Sequence, residues 1–240
     1  MKAIIMVAGV GSRLVKKVRH LPKCLLVFDN ETILSRNIRL LKKYGINETI
    51  IVAGYHGNLV KEEVGSEARV IFNPFFRVTN SIASFWFVHK KVDLHDDLIV
   101  FNGDVIYQEE VLKTALETNQ SPLMLIDTTR IEEADYRLKI QDGCVIDQGK
   151  ELSNEETSGE YVGIVKMSKD FVPIYLSRVE ALVESREKYN MWWEEALFEI
   201  RDEFKIKINT IDVKGFFWAE ADYIEDINRI EKWFAEHISL

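Results

Sequence analysis

Short, nearly unbroken apolar stretches alternate with helix-spaced patterns through the first half of the chain. Ala3 to Ala8, Thr49 to Ala53, Val70 to Phe72, Leu98 to Phe101 and Leu123 to Ile126 are such stretches, the signature of strands covered on both faces in a parallel sheet. Residues 32–44 place Ile33, Leu34, Ile38, Leu41 and Tyr44 at helical spacing, and Gly45 follows where a left-handed C-cap would sit. The spacing predicts a crossover helix. From about Tyr136 the pattern changes: "YRLKIQDGCVIDQ" alternates around Asp142-Gly143 and predicts a hairpin-like insertion at the sheet edge. Residues 150–160 are polar, lack apolar anchors and read as a loop. Helices over about 170–187 and 191–204, strands near 206–211 and 216–218, and an amphipathic helix over about 222–237 complete an α/β pattern. The expectation is one domain over residues 1–240, with an inserted lobe at about 128–168.

Composition narrows the function. A chain of 240 residues that is 47% hydrophobic can bury the core of a single α/β domain. Its net charge of −8 argues against nucleic-acid or anionic-membrane partners, so any phosphate site must be local. Cys24 and Cys144 are far apart and without CxxC spacing, which suggests neither a disulfide framework nor a zinc ribbon, and fits a cytoplasmic protein. The opening "MKAIIMVAG" reads as a strand, being too short for a membrane span and lacking a signal cleavage site.

Gly9-Val10-Gly11-Ser12-Arg13-Leu14 follows the first strand directly, where backbone N–H groups can point at an anion. It is neither the dinucleotide fingerprint nor a P-loop, and two glycines alone read equally as a tight turn. Arg13, and Lys23 in "LPKCLL", change that weighing. A turn that binds a triphosphate needs cations as charge moves onto departing pyrophosphate; Arg supplies a fork and Lys a point charge. Asn102-Gly103-Asp104 ends the apolar "LIVF" stretch, at the carboxyl end of a strand where open α/β sheets bind ligands. Asp104 alone reads equally as a turn residue or helix cap. In "GFFWAEADYIEDINRIE", Glu220 and Asp222 fall on one side if the chain is still extended, and with Asp104 they would suit octahedral Mg²⁺. The alternative is that Asp222 caps the last helix while Glu220 is solvated.

"VAGVGSRL…LPKCLL" resembles the N-terminal signature of the nucleotidyltransferases that activate sugar phosphates and related phosphorylated metabolites. Val7 stands where alanine is usual, and "VKKVRH" replaces the typical spacer. "NGDV", "GEYVGIVKMS", "MWWEEAL" and "WAEADYIEDINRIE" then follow in the order found in the cytidylyltransferase branch typified by CTP:phosphocholine cytidylyltransferases, so the resemblance spans essentially the whole chain. It implies a Rossmann-like three-layer α/β/α nucleotidyltransferase fold with a mixed, GT-A-like sheet and a small β insertion on the acceptor side. It also implies a nucleotide site at Ala8, Gly9, Gly11, Ser12, Arg13, Lys23, Asn80, Ser84 and Asp104, with Arg13 and Lys23 catalytic and Mg²⁺ on Asp104, Glu220 and Asp222. The base would lie near Ala8, Asn80 and Ser84, although Thr79, Asn80 or Ser81 can equally be a helix N-cap.

The implied reaction joins CTP to a small phosphorylated acceptor, phosphocholine-like, with release of pyrophosphate. The CDP-linked product would be a precursor of cell-surface polysaccharide. "MWWEEAL" lies where the resembling enzymes place acceptor-site residues, which makes Trp192, Trp193 and Glu194 candidates; aromatic faces beside acids hold quaternary ammonium groups, and core packing is the alternative. Lys139 and Lys150 either reach the acceptor's phosphate or are solvated. The five histidines show no metal spacing. Three other classes stay open: a sugar-1-phosphate nucleotidyltransferase using UTP or dTTP, a glycosyltransferase on the same sheet, and a non-catalytic nucleotide-binding module. The Arg13 and Lys23 loop, and Asn102-Gly103-Asp104 in place of Asp-x-Asp, disfavour the glycosyltransferase. Whether the chain forms a homodimer is left open.

Overall fold

The computed structural model describes residues 1–11 and 21–237. The strands in chain order are β1 (Lys2–Val7), the two-residue β2 (Val27–Phe28) and β3 (Glu31–Thr32), β4 (Glu48–Ala53), β5 (Arg69–Phe72), β6 (Leu98–Asn102) and β7 (Val105–Tyr107). They continue as β8 (Leu123–Asp127), β9 (Arg137–Gln141), β10 (Cys144–Gln148), β11 (Gly159–Met167), β12 (Asn209–Asp212) and β13 (Trp218–Glu220). The helices are α1 (Ile33–Lys43), α2 (Gly57–Val64), α3 (Ser81–His89), α4 (Glu109–Glu117), α5 (Val172–Glu180), α6 (Glu195–Phe204) and α7 (Ile224–His237).

Nine strands form one mixed sheet in the order β5-β4-β1-β6-β11-β8-β12-β10-β9. β5, β4, β1 and β6 run parallel, whereas β11 lies antiparallel between β6 and β8. Both faces are covered. Ile4 of β1 joins a core with Ile82 and Phe85 of α3 and Tyr175 of α5, while its neighbours Ala3, Ile5 and Val7 join Leu34 and Ile38 of α1 and Val111 of α4 on the other face. Two-sided burial is why these strands are apolar without alternation. A smaller cluster seats α7, through Ile230 and Phe234, against Phe28, Ile33 and Ile106.

The expected crossover helix forms as α1: Thr32 caps it by accepting the Ser35 N–H at 3.0 Å, and Gly45 closes it at φ +79°. The expected hairpin forms as β9 and β10 at the end of the sheet, with Asp142 and Gly143 both at positive φ, as a primed two-residue turn requires. Two elements differ from expectation. The loop ends at Gly159, where β11 begins, and all nine residues of that strand are buried in the middle of the sheet. Its register shifts between Tyr161 and Val165, with Gly163 at φ +82°, and the first half pairs with β8 and β9 while the second pairs with β6 and β8. The helix expected over 191–204 begins only at Glu195. The preceding segment is tied instead to the start of α3: Asn80 N–H donates to the Tyr189 carbonyl, Ile82 N–H to the Met191 carbonyl, and Trp193 N–H to Ser81 Oγ at 3.0 Å.

Candidate active site

The carboxyl ends of β1 and β6 lie side by side, Met6 opposite Asn102, and the chain leaves both strands into the same cleft. Gly103 makes that proximity possible. Its N–H donates to the Met6 carbonyl at 3.0 Å, and a Cβ there would fall 2.3 Å from Val7 Cγ1 and 2.5 Å from Met6 O. Asp104 is next, held at the turn into β7. β7 pairs antiparallel with β13, Val105 opposite Glu220, and the Ala221 N–H donates to the Asp104 carbonyl at 3.0 Å. This short ribbon joins the two acidic motifs.

Lys23 closes the group. It opens a single 3₁₀ turn after Pro22, and its ammonium donates to Asp104 Oδ2 at 2.9 Å and also to Asp222 Oδ1. Its stem lies against Gly11, at φ +64°, where a Cβ would come within 3.0 Å of Lys23 Cγ and Cε. Asp222 N–H bonds back to the Glu220 carbonyl, so the chain is turned rather than extended at Ala221, yet both side chains line the same cavity. Glu220 accepts from Asn102 Nδ2 at 3.1 Å, and burial first, then the charge of Asp104, push its carboxyl above the usual range. Before α7, Asp226 accepts the N–H groups of Asp222 and Tyr223, at 3.3 and 2.9 Å.

A cavity of about 330 Å³ opens beside this cluster, lined by Ala8, Gly9, Asn80, Ser84, Asp104, Glu220 and Asp222 among others. Lys23 and Gly11 line a smaller adjoining cavity that shares Gly9 and Asp104. Asn80 lines the cavity, and its Oδ1 accepts the Ser81 N–H as the N-cap of α3. Ser84 is buried, its hydroxyl accepting from Asn73 Nδ2 at 2.9 Å. Ser12 and Arg13 lie outside the described residues.

The acceptor candidates separate. Trp192 is 40% exposed and lines the cavity, whereas Trp193 is 1% exposed and belongs to the core, stacked on Phe85. Trp193 is therefore a correction: its indole N–H donates to Asn102 Oδ1 at 3.1 Å, which turns the Asn102 amide nitrogen toward Glu220. Glu194 is buried in the cavity wall. Burial pushes its carboxyl up to about 8, and the nearby Asn102 and Tyr161 side chains only partly oppose this. Lys150 lines the cavity and pairs with Asp135 at 3.0 Å. Lys139 is absent from the lining and pairs with Glu156 at 3.7 Å; it sits on β9, whose partners turn it toward the loop at Glu156. Asp135 and Tyr136, just before β9, and Tyr161 in β11 also line the cavity; no charge or spacing singled them out in the sequence.

The fold and cleft define a nucleotidyltransferase. Residues 3–130 match the MobA-like NTP transferase domain, and the chain belongs to that family. It is 25% identical to the CTP:phosphoglutamine cytidylyltransferase of Campylobacter jejuni over 97% of this chain and 100% of that one. It is 23% identical to the choline-phosphate cytidylyltransferase of Streptococcus pneumoniae, over 97% of each. Among solved structures, the inositol-1-phosphate CTP transferase of T. maritima superposes with a TM-score of 0.77 at 19% identity, covering 100% of this chain and 98% of that one. Among the described residues, no helix is long and apolar enough to cross a membrane.

Proposed function

We propose that this protein transfers the cytidylyl group of CTP to a small phosphorylated acceptor. The acceptor's phosphate oxygen attacks the α-phosphorus in line, the bond to the β-phosphate breaks, and pyrophosphate leaves. The attacking oxygen is already anionic, so no general base is required, and catalysis is positioning plus charge neutralisation. Lys23 and Arg13 are the cations that would meet the departing charge. Ala8, Asn80 and Ser84 are the groups that would border the base.

The observation that carries this reading is the convergence of Asp104 and Asp222, which line the cavity, on one cation, the Lys23 ammonium of the smaller adjoining cavity. Two carboxylates sharing a positive charge beside a phosphate turn are the donor set Mg²⁺ takes, one or two carboxylates completed by water and substrate phosphates. Among the described residues no three acidic, histidine or cysteine side chains form a ready metal cage. Asp104 and Asp222 would hold the ion, with Glu220 adjoining. Bound there, Mg²⁺ would neutralise phosphate oxygens as charge develops. The full-length similarity to cytidylyltransferases that take different phosphorylated acceptors supports CTP as the donor.

The test is pyrophosphate release from CTP, UTP, dTTP and GTP, each crossed with phosphocholine, phosphoethanolamine and glucose 1-phosphate. CTP should be preferred, and Asp104→Ala should reduce release at least a hundredfold. Preferred turnover of UTP or dTTP with the sugar phosphate would refute the proposal.

A further inference from the structure

The wall of the cavity made by Tyr136, Tyr161, Trp192 and Glu194 carries two polar groups that the chemistry above does not use. The Tyr161 hydroxyl is fully buried and has no hydrogen-bond partner of ordinary geometry, although it lies toward the Glu194 carboxyl. The Glu194 side chain is itself buried in the wall. A buried hydroxyl without a partner is destabilising, and it is kept in native structures where a ligand or water completes it. The aromatic rings beside these groups do not form an open box. Tyr136 meets Tyr161 and Trp192 edge to face, at centroid distances of 5.7 and 5.6 Å, and the Lys150 ammonium already stands 5.8 Å over the Trp192 ring. A trimethylammonium group needs open ring faces and offers no N–H. It would leave both Tyr161 and Glu194 facing methyl groups.

We propose, building on the cytidylyltransferase reading, that this wall selects an acceptor whose far end carries N–H groups, an incompletely methylated ammonium or a carboxamide, and that Glu194 and Tyr161 are the specificity residues. The carboxyl accepts one N–H, and the Tyr161 hydroxyl completes its bonding by accepting another or by donating to an amide carbonyl.

The methylation series from phosphoethanolamine through its monomethyl and dimethyl forms to phosphocholine tests this. It holds phosphate and charge constant while N–H groups disappear one at a time. We expect kcat/KM for pyrophosphate release from CTP to fall along the series, about tenfold or more overall. Tyr161→Phe and Glu194→Gln should each flatten it. Tyr161→Phe removes only a hydroxyl, so its fold should hold even if Glu194→Gln is unstable. A carboxamide-ended phosphate of the same length separates donors from charge: turnover there names the amide, and its absence names the ammonium. Rising efficiency with methylation, or an unchanged series in both variants, overturns the proposal. If no acceptor releases pyrophosphate, the cytidylyltransferase reading fails by itself, and calorimetric titration of the same acceptors still reads the wall. Tighter binding of phosphocholine, or no binding by any N–H-bearing acceptor, overturns the proposal there.

Discussion

Replacing Lys23 with alanine should destabilise the protein and at the same time make its stability responsive to magnesium. The Lys23 ammonium is 15% exposed, with Asp104 and Asp222 at 23% and 16%, so solvent screens the cluster only in part. Two carboxylate oxygens that share one ammonium can lie up to about 5 Å apart, where at an effective dielectric near 20 their mutual repulsion is about 3 kcal/mol, an upper bound that the other partners of Asp222 lower. Relaxation into the cavity reduces this to roughly 2 kcal/mol, which for a chain of this size is a fall of about 4–8 °C in Tm. Lys23 also competes for the carboxylates in the native protein, so its removal should enlarge the rise in Tm produced by millimolar Mg²⁺ without nucleotide. Differential scanning calorimetry of both proteins, with and without Mg²⁺, measures both effects. A fall under 1 °C, or an identical response to Mg²⁺, would show that the three side chains do not share one electrostatic site.

Three further outcomes are expected. Gly103→Ala places a methyl against the Met6 backbone and Val7, which must part β1 from β6 at a cost of about 3 kcal/mol or more; a urea midpoint near the native one would contradict the packing. Glu194 binds its proton more tightly when folded, up to about 8, so its contribution to stability is full below the ordinary carboxyl pKa and is lost as pH rises towards 8. Glu194→Gln should therefore gain on the native protein between pH 5 and pH 8 in denaturant titrations, and parallel profiles would exclude a neutral buried acid. Trp193→Phe keeps the ring in the core but removes the donor to Asn102; a stability loss of about 1–2 kcal/mol should accompany a lower kcat with little change in KM for CTP, and native kcat would remove Trp193 as a positioning residue.

The sequence by itself determined the layered sheet and the edge at which its candidate site lies. Apolar runs without alternation at Ala3 to Ala8 and Leu98 to Phe101 announce strands covered on both sides, and strand ends of that kind put Gly9 and Asp104 at one edge. These are local signals, carried by spacing within a few residues. Tertiary structure alone decided the rest. "MWW" gives two adjacent tryptophans the same local character; one lines the cavity and the other enters the core because residues 189–193 are bonded across the start of α3. Glu220 and Asp222 line one cavity although the chain turns at Ala221, an arrangement that strand alternation does not describe. Tyr161 lines the cavity from β11, in the half of the strand that precedes the register shift at Gly163. Lys23 meets Asp222, 199 positions away, through the pairing of β7 with β13. No short window of sequence records which distant strand supplies a partner, because the free energy that selects it belongs to the assembled sheet and its two covered faces.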